Sequence, residues 1–325
     1  MGIRDEFDFI NKISTNQFIS ERVIEGIGDD AAIIRPLQQM DTVVCKDTMV
    51  EGVHFKKETM MPVHIGHKAL AANISDIAAM GGIPTYYLVS IAIPSTWGEE
   101  ELLEIYRGMS ELASKYKMSL IGGDTVSIEG PLVVTVTVLG EIEQDKVLRR
   151  GNAKPGDFVF LTGNVGDSAA GLHILLSDNT SNRRLTNLLN KHQLPHPQVI
   201  AGRILTKLPR AATNDISDGV ASEAIEIAIA SRVDIVLDEY SLPLSEEILE
   251  FGRTRAVNWA LYGGEDYELI GTVSPEEWPG LLHMFEKEKM RITHIGNVIE
   301  GSGKVFLDSK GELLELQKAG YNHFG

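Results

Sequence analysis

The sequence predicts an α/β protein of two domains, and three observations carry that expectation. The chain has 325 residues, long enough for two cores, with 43% hydrophobic and 23% charged residues. Short runs rich in β-branched residues alternate with stretches of helical period along most of its length. A basic, Gly- and Pro-containing run, Arg149-Arg150-Gly151-Asn152-Ala153-Lys154-Pro155-Gly156, interrupts the alternation, which then restarts. We therefore expect one domain over residues 1–148 and a second over 149–325.

In order, residues 42–47 read as a strand ending at Asp47. Residues 63–80 read as a helix, with Ile65, Ala69, Ala72, Ile77 and Met80 as its apolar or small positions. Gly81-Gly82 ends it and Pro84 blocks continuation. Asp76 sits among small residues of that helix, a place for an acid facing a crevice. Residues 86–93 form a strand, 98–117 an amphipathic helix with Leu102, Leu103, Tyr106, Met109 and Leu112 inward, and 118–121 a short strand entering Gly122-Gly123-Asp124. The Val/Thr-rich alternation at 131–142 suits another strand. The second half offers a strand at 158–162, a helix from about Gly166, a strand and turn at 212–218, a helix at 219–231 and a strand at 233–238. Gly263-Gly264-Glu265-Asp266 leads into a strand, a helix near 275–288, and strands at 291–298 and 303–308. Residues 177–193, rich in Ser, Asn, Thr and Arg, read as a mobile excursion.

A net charge of −16 argues against a nucleic-acid partner held by its phosphates. No stretch approaches the roughly 20 apolar residues of a membrane span, so no membrane partner is expected. The first eight residues carry early acids and no apolar stretch, so no signal peptide is expected. A single cysteine, Cys45, forms no internal disulfide, and cytoplasm is the expected compartment.

Aspartates recur beside glycine or other small residues: Gly28-Asp29-Asp30, Lys46-Asp47-Thr48, Ser75-Asp76, Gly122-Gly123-Asp124-Thr125 and Asp215-Ile216-Ser217-Asp218-Gly219. Two unit charges about 4 Å apart repel by roughly 4 kcal/mol at an effective dielectric of about 20. Converging carboxylates must therefore protonate or hold cations, and all-oxygen ligands favour magnesium and phosphate chemistry. Each turn also has a plain structural reading. Gly122–Thr125 reads equally as a β-turn, and Ser217 or Asp218 as the N-cap of the following helix. Gly163-Asn164-Val165-Gly166-Asp167-Ser168 reads as a phosphate cradle or as a strand-to-helix turn. Arg149 and Arg150 are anion partners or a solvated pair, and His54 is functional or structural. The P-loop, protein-kinase, H-E-x-x-H and G-x-S-x-G patterns are absent from the sequence.

Taken in order, these segments resemble the thiamine-monophosphate kinase family. They are Gly26-Ile27-Gly28-Asp29-Asp30-Ala31-Ala32, Asp47 to Phe55, Lys68 to Gly81, Ile121 to Thr125, Ala153 to Asp157, Gly166 to Leu172, Asp215 to Gly219 and Gly263 to Leu269. The resemblance runs from about residue 5 to Phe324. Its wider superfamily includes aminoimidazole ribonucleotide synthetase and selenophosphate synthetase. Val50-Glu51-Gly52-Val53-His54-Phe55 and Gly263-Gly264-Glu265-Asp266-Tyr267-Glu268-Leu269 favour the thiamine enzyme.

The resemblance implies an N-terminal α/β domain whose sheet forms a barrel across a homodimer, and a C-terminal α+β domain that completes the site. It implies ATP-dependent phosphorylation of thiamine monophosphate, with ATP as co-substrate and several Mg²⁺ ions. Carried over by position, Asp30, Asp47, Asp76, Asp124, Asp215 and Asp218 are magnesium ligands. Gly123, Asp124, Arg150, Ser217 and Tyr106 contact the nucleotide, with Asp47, Asp124 and Arg150 closest to the transfer. His54, Glu265 and Tyr321 line the thiamine phosphate site. Cys45 and Lys46 depart from the Ser/Thr frequent in the family before the motif Asp. The rival expectations are an ATP-dependent amidine-cyclising synthetase, a metal-dependent phosphatase and a non-catalytic cation-binding protein.

Overall fold

The computed structural model describes residues 6–15, 17–28, 31–177 and 185–319, with residues 6–8 as backbone. The chain divides into two compact units, Met1–Ile77 with Ile83–Gln144, and Ala78–Gly82 with Asp145–Gly325.

The first unit holds α1 (Glu6–Ser14), β1 (Val23–Glu25), β2 (Ile33–Ile34), β3 (Met40–Val50), α2 (Pro62–Ala79), β4 (Ile83–Ile93), α3 (Glu99–Tyr116), β5 (Ser119–Ser127) and β6 (Val133–Glu143). Its main sheet runs β3-β6-β4-β5, so β3 and β5 are the edges. Only β4 and β5 are parallel, joined by the crossover helix α3. Val89, Val134, Val136 and Val138 are buried on one face, and Gly140 on that face abuts Ile77 of α2. Helices α2 and α3 cross where Gly66 lies against the Ile105 carbonyl and Gly108 against that of Val63; neither contact has room for a Cβ. The other face carries Val44, Thr48, Ser90 and Val126, all exposed.

Two strands run further than the sequence suggests. β3 continues to Val50, so Asp47 lies inside a strand rather than at its end. β5 carries Gly122-Gly123-Asp124-Thr125 within its length, so that segment is not a turn. Glycine suits this strand because a Cβ on Gly123 would stand 2.0 Å from the Val89 carbonyl oxygen.

The second unit contains β7 (Phe158–Thr162), α4 (Asp167–Leu176), α5 (Thr186–Gln193), α6 (Val199–Leu205), β8 (Ala212–Asp215), α7 (Val220–Ser231) and β9 (Val233–Asp238). It continues with α8 (Glu246–Leu249), α9 (Arg253–Tyr262), β10 (Leu269–Val273), α10 (Trp278–Lys287), β11 (Ile292–Glu300), β12 (Val305–Ser309) and β13 (Glu312–Glu315). The sheet order is β13-β12-β9-β11-β7-β10-β8, antiparallel except between β9 and β12. Ala221, Ala224, Ile227 and Ala228 of α7 share a core with Val159, Ile235 and Ile270 of the sheet. The expected excursion at 177–193 is in part a helix. In α5, Leu188 and His192 are buried, and the Leu188 carbonyl lies against Gly171 of α4. A short apolar stripe inside a polar composition hid it. No helix among the described residues is long and apolar enough to cross a membrane.

Candidate active site

Within the first unit the candidate residues fall into two groups, one at each sheet edge. On β3, Cys45 and Asp47 alternate onto the face that α2 covers. The Cys45 thiol donates to the Asn73 carbonyl of α2 at 3.2 Å. Burial first, then the charges of Asp76 and Asp47, push that thiol up and keep it protonated. Asp47 is exposed on the edge strand yet crowded, and desolvation raises its carboxyl, offset in part by His54 and by a hydrogen bond with Asp76. Two carboxyl groups in hydrogen-bonding contact require a proton or a cation between them. His54 is tied to the same edge, its Nδ1 accepting the Val50 N–H at 3.0 Å. That bond leaves the neutral ring's proton on Nε2.

At the opposite edge, a pocket of about 880 Å³ is lined by Gly122, Gly123, Asp124 and Thr125 of β5, Tyr106 of α3, and Gly28 and Ala31 of the segment before β2. The pocket brings Gly123, Asp124 and Tyr106 together. Tyr106 is almost fully buried, and desolvation raises its phenol. Asp30 falls outside the described residues, as does Tyr321.

The sheet register separates the two edges. Asp47 pairs with Val136, Val136 with Val89, and Val89 with Gly123. Asp124 pairs with Ser90, Ser90 with Thr135, and Thr135 with Thr48. Asp47 therefore points to the helix-covered face and Asp124 to the open one. Their backbones stand three strand spacings apart, about 14 Å. One chain does not gather them around one ion, contrary to the simplest reading of the sequence. Among the described residues, no three His, Cys, Asp or Glu form a metal-holding group.

In the second unit the segment 214–218 leaves β8 and turns into α7. Asp215 is buried at the strand end and Asp218 is exposed. Neither Ser217 nor Asp218 caps α7; its N-cap is Gly219, with no side-chain cap bond. Instead Glu223, in the first turn, reaches back. It accepts the Asp218 N–H at 3.1 Å, the Ser217 hydroxyl at 3.2 Å and a hydrogen bond from the Asn214 amide. Asn214 accepts from Arg150 Nε at 2.9 Å, so Arg150 joins the same network. Burial first, then the charge of Asp215, pushes the Glu223 carboxyl up to about 7.

Glu265 belongs to this group too, because its N–H donates to the Ser217 carbonyl at 2.8 Å. Both Glu265 and Tyr267 have left-handed backbones, φ +69° and +51°. Such strain persists where neighbours over-determine it. Here the Tyr267 N–H donates to Ile216, and the Ile216 N–H to Glu268. The Glu265 carboxylate stands 3.5 Å from Nδ1 of His192, which is also 3.2 Å from the Ser168 hydroxyl. The Gly163–Ser168 turn is structural: buried Asp266 takes the Gly166 and Ser168 N–H groups at 2.6 and 3.1 Å. Those two N–H groups are therefore already engaged by a side chain of the same chain.

Sequence reasoning missed Glu223, Asn214 and His192. The available signal was an acid on an otherwise apolar helix face, between Ala221 and Ala224.

Residues 28–142 match the family of AIR synthase related protein, N-terminal domain, and residues 154–308 match the corresponding C-terminal domain. Fold and acid-bearing segments thus define an AIR synthase related protein. The chain is 49% identical to thiamine-monophosphate kinase of Bacillus subtilis (strain 168), over 98% of its own length and 99% of the relative's. It is 33% identical to the crystal structure of thiamine-monophosphate kinase from Stenotrophomonas maltophilia K279a, with a TM-score of 0.86, covering 94% of this chain and 98% of that one. A structure of AaThiL complexed with AMPPCP and TMP is 30% identical, with a TM-score of 0.76 over 97% and 98% of the two chains. The chain belongs to the thiamine-monophosphate kinase family.

Proposed function

We propose that this protein transfers the γ-phosphoryl group of ATP to thiamine monophosphate, giving ADP and thiamine diphosphate. The observation that carries the nucleotide half is the β5-edge pocket, which collects Gly123, Asp124 and Tyr106. The acceptor follows from kinship with thiamine-monophosphate kinases and with a homologue complexed with AMPPCP and TMP.

The donor set is carboxylate oxygen, the chemistry Mg²⁺ prefers, and the Asp47–Asp76 contact is one that a cation would relieve. Asp30, Asp47, Asp76, Asp124, Asp215 and Asp218 would hold these ions. When bound, the ions neutralise the phosphates and keep the reacting groups in line. Gly123 lets the nucleotide approach the strand, and Arg150 offers a guanidinium to its phosphates. Ser217 stands one backbone hydrogen bond from Glu265, so nucleotide and acceptor contacts meet on one turn. His54 presents Nε2–H toward the acceptor, and Glu265 complements its thiazolium or aminopyrimidine; Tyr321 completes that subsite. A phosphate acceptor has a second pKa of about 6, so it attacks already ionised and needs no strong general base.

The edge geometry supports a homodimer. Pairing the β3 edge of one chain with the β5 edge of its partner would close the two sheets into a barrel. It would bury Val44 and Val126, and bring Asp47 of one chain toward the partner's β5 edge. Residues 1–148 then serve as the ATP, Mg²⁺ and dimerisation domain, and residues 149–325 complete the site. The reaction belongs in the cytoplasm.

The test is ADP release with thiamine monophosphate as acceptor, with and without Mg²⁺, and chromatographic identification of the product. Thiamine diphosphate formed in step with ADP supports the proposal. Inorganic phosphate as the sole product, or no response to thiamine monophosphate, rejects it.

A further inference from the structure

We infer that Glu223 is a positioning residue that sets the Arg150 guanidinium and the 215–218 turn in one arrangement before nucleotide arrives. The inference rests on the proposed contacts of Arg150 and Ser217 with ATP. Glu223 is 5% exposed and Asn214 is 2% exposed. Glu223 Oε1 accepts from the Ser217 hydroxyl at 3.2 Å and from the Asp218 N–H at 3.1 Å. Its Oε2 accepts from the Asn214 amide nitrogen, and Asn214 Oδ1 accepts from Arg150 Nε at 2.9 Å. One buried carboxylate thus organises the strand end, the turn and the guanidinium, all within one compact unit.

The chemistry of the partners requires a carboxylate. The Asn214 amide, the Ser217 hydroxyl and the Asp218 N–H all donate to Glu223, and a carboxylate is the side chain whose two oxygens both accept. That also orients Asn214: its NH₂ is drawn to Glu223, so its oxygen faces Arg150. A glutamine at 223 cannot satisfy both sides. With its oxygen toward Asn214, its NH₂ meets the Asp218 N–H and the Ser217 hydroxyl. With its NH₂ toward Asn214, that amide must rotate and turn its own NH₂ against Arg150 Nε–H. Either way one arm is lost, and a buried donor without an acceptor is costly. A helix position serving stability alone would have no need of a buried charge, because a well-packed apolar residue does as well.

The experiment uses the full chain, with Glu223→Gln and Asn214→Ala as variants. Calorimetry reads ATP affinity, steady-state kinetics read the two KM values, and ¹H–¹⁵N NMR reads the Arg150 Nε–Hε resonance without nucleotide. We expect Glu223→Gln to weaken ATP by about tenfold while the KM for thiamine monophosphate stays within about twofold. Its Arg150 Nε–Hε signal shifts and loses protection from exchange. Asn214→Ala, which cuts only the Arg150 arm, weakens ATP by about threefold and moves the same signal; it decides the matter if Glu223→Gln does not fold. An Arg150 signal and ATP affinity both unchanged in either folded variant would overturn the positioning role. Failure of the unsubstituted protein to bind ATP would instead overturn the kinase proposal, while the Arg150 signal would still report on the network.

Discussion

The two edges of the four-stranded sheet carry equivalent chemistry in opposite settings. At the β3 edge, Asp47 faces the helix side, and its carboxyl is engaged by Asp76 with His54 nearby. At the β5 edge, Asp124 faces the open side and lines a pocket with Gly123 and Tyr106. The first edge offers a crowded pair of carboxyls, the second a cavity large enough for a ligand. Acids that sequence order places together are kept three strands apart by a single chain's register.

If both edges serve one reaction, losing either acid should be equally damaging. Asp47→Asn and Asp124→Asn should each lower kcat/KM by about 10³-fold, with thermal midpoints within about 2 °C of the parent. A loss confined to one variant would show that the edges do not cooperate. Second, the double variant Val44→Glu/Val126→Glu places charges on the open face, where both valines are exposed in the single chain. Sedimentation should show a monomer, with activity reduced by at least about tenfold. A fully active dimer would argue against edge-to-edge closure. Third, Glu265→Ala should raise the KM for thiamine monophosphate about tenfold and leave that for ATP within about twofold.

The smallest effect concerns stability and contrasts the second unit with both edges. Asp266 is fully buried, and its carboxyl is pushed up to about 7 by desolvation. The unfolded chain releases that proton near pH 4, while the folded chain holds it until about 7. Between those values the folded state binds more protons, so this group's contribution falls as pH rises. Thermal midpoints should decline from pH 5 to pH 8 as this group's contribution to stability falls by a few kcal/mol at most. Asp266→Asn should flatten that decline while leaving Asp47 and Asp124 chemistry in place. An equal slope in parent and variant would remove Asp266 as its source.

Long periodic segments were legible in the sequence. The helices expected at 63–80, 98–117 and 219–231 stand at Pro62–Ala79, Glu99–Tyr116 and Val220–Ser231, because their apolar spacing is unambiguous. Glycine misled at β5, where Gly122 and Gly123 read as a turn although close strand approach is what requires Gly123. Asp47 was read at a strand end because an acid inside a strand is rare; its position at an edge explains it. The α9 helix and the short strands β1, β2 and β13 gave no reading. Glu223 belongs to none of the Gly-flanked acid segments that the sequence singles out. Its apolar neighbours hint at burial, but its role is visible only through its tertiary partners, Asn214 and Ser217. The opposite facing of Asp47 and Asp124 needs the strand order, which local pattern does not encode.

The most direct test mixes the two edge variants in one dimer. Chains carrying Asp47→Asn and chains carrying Asp124→Asn, each inactive alone, are given different tags, co-expressed and purified as mixed dimers. If each site joins the β3 edge of one copy to the β5 edge of the other, one site carries both substitutions and the other carries neither. About half of the parent activity should then return. Mixed dimers as inactive as either variant alone would contradict that arrangement.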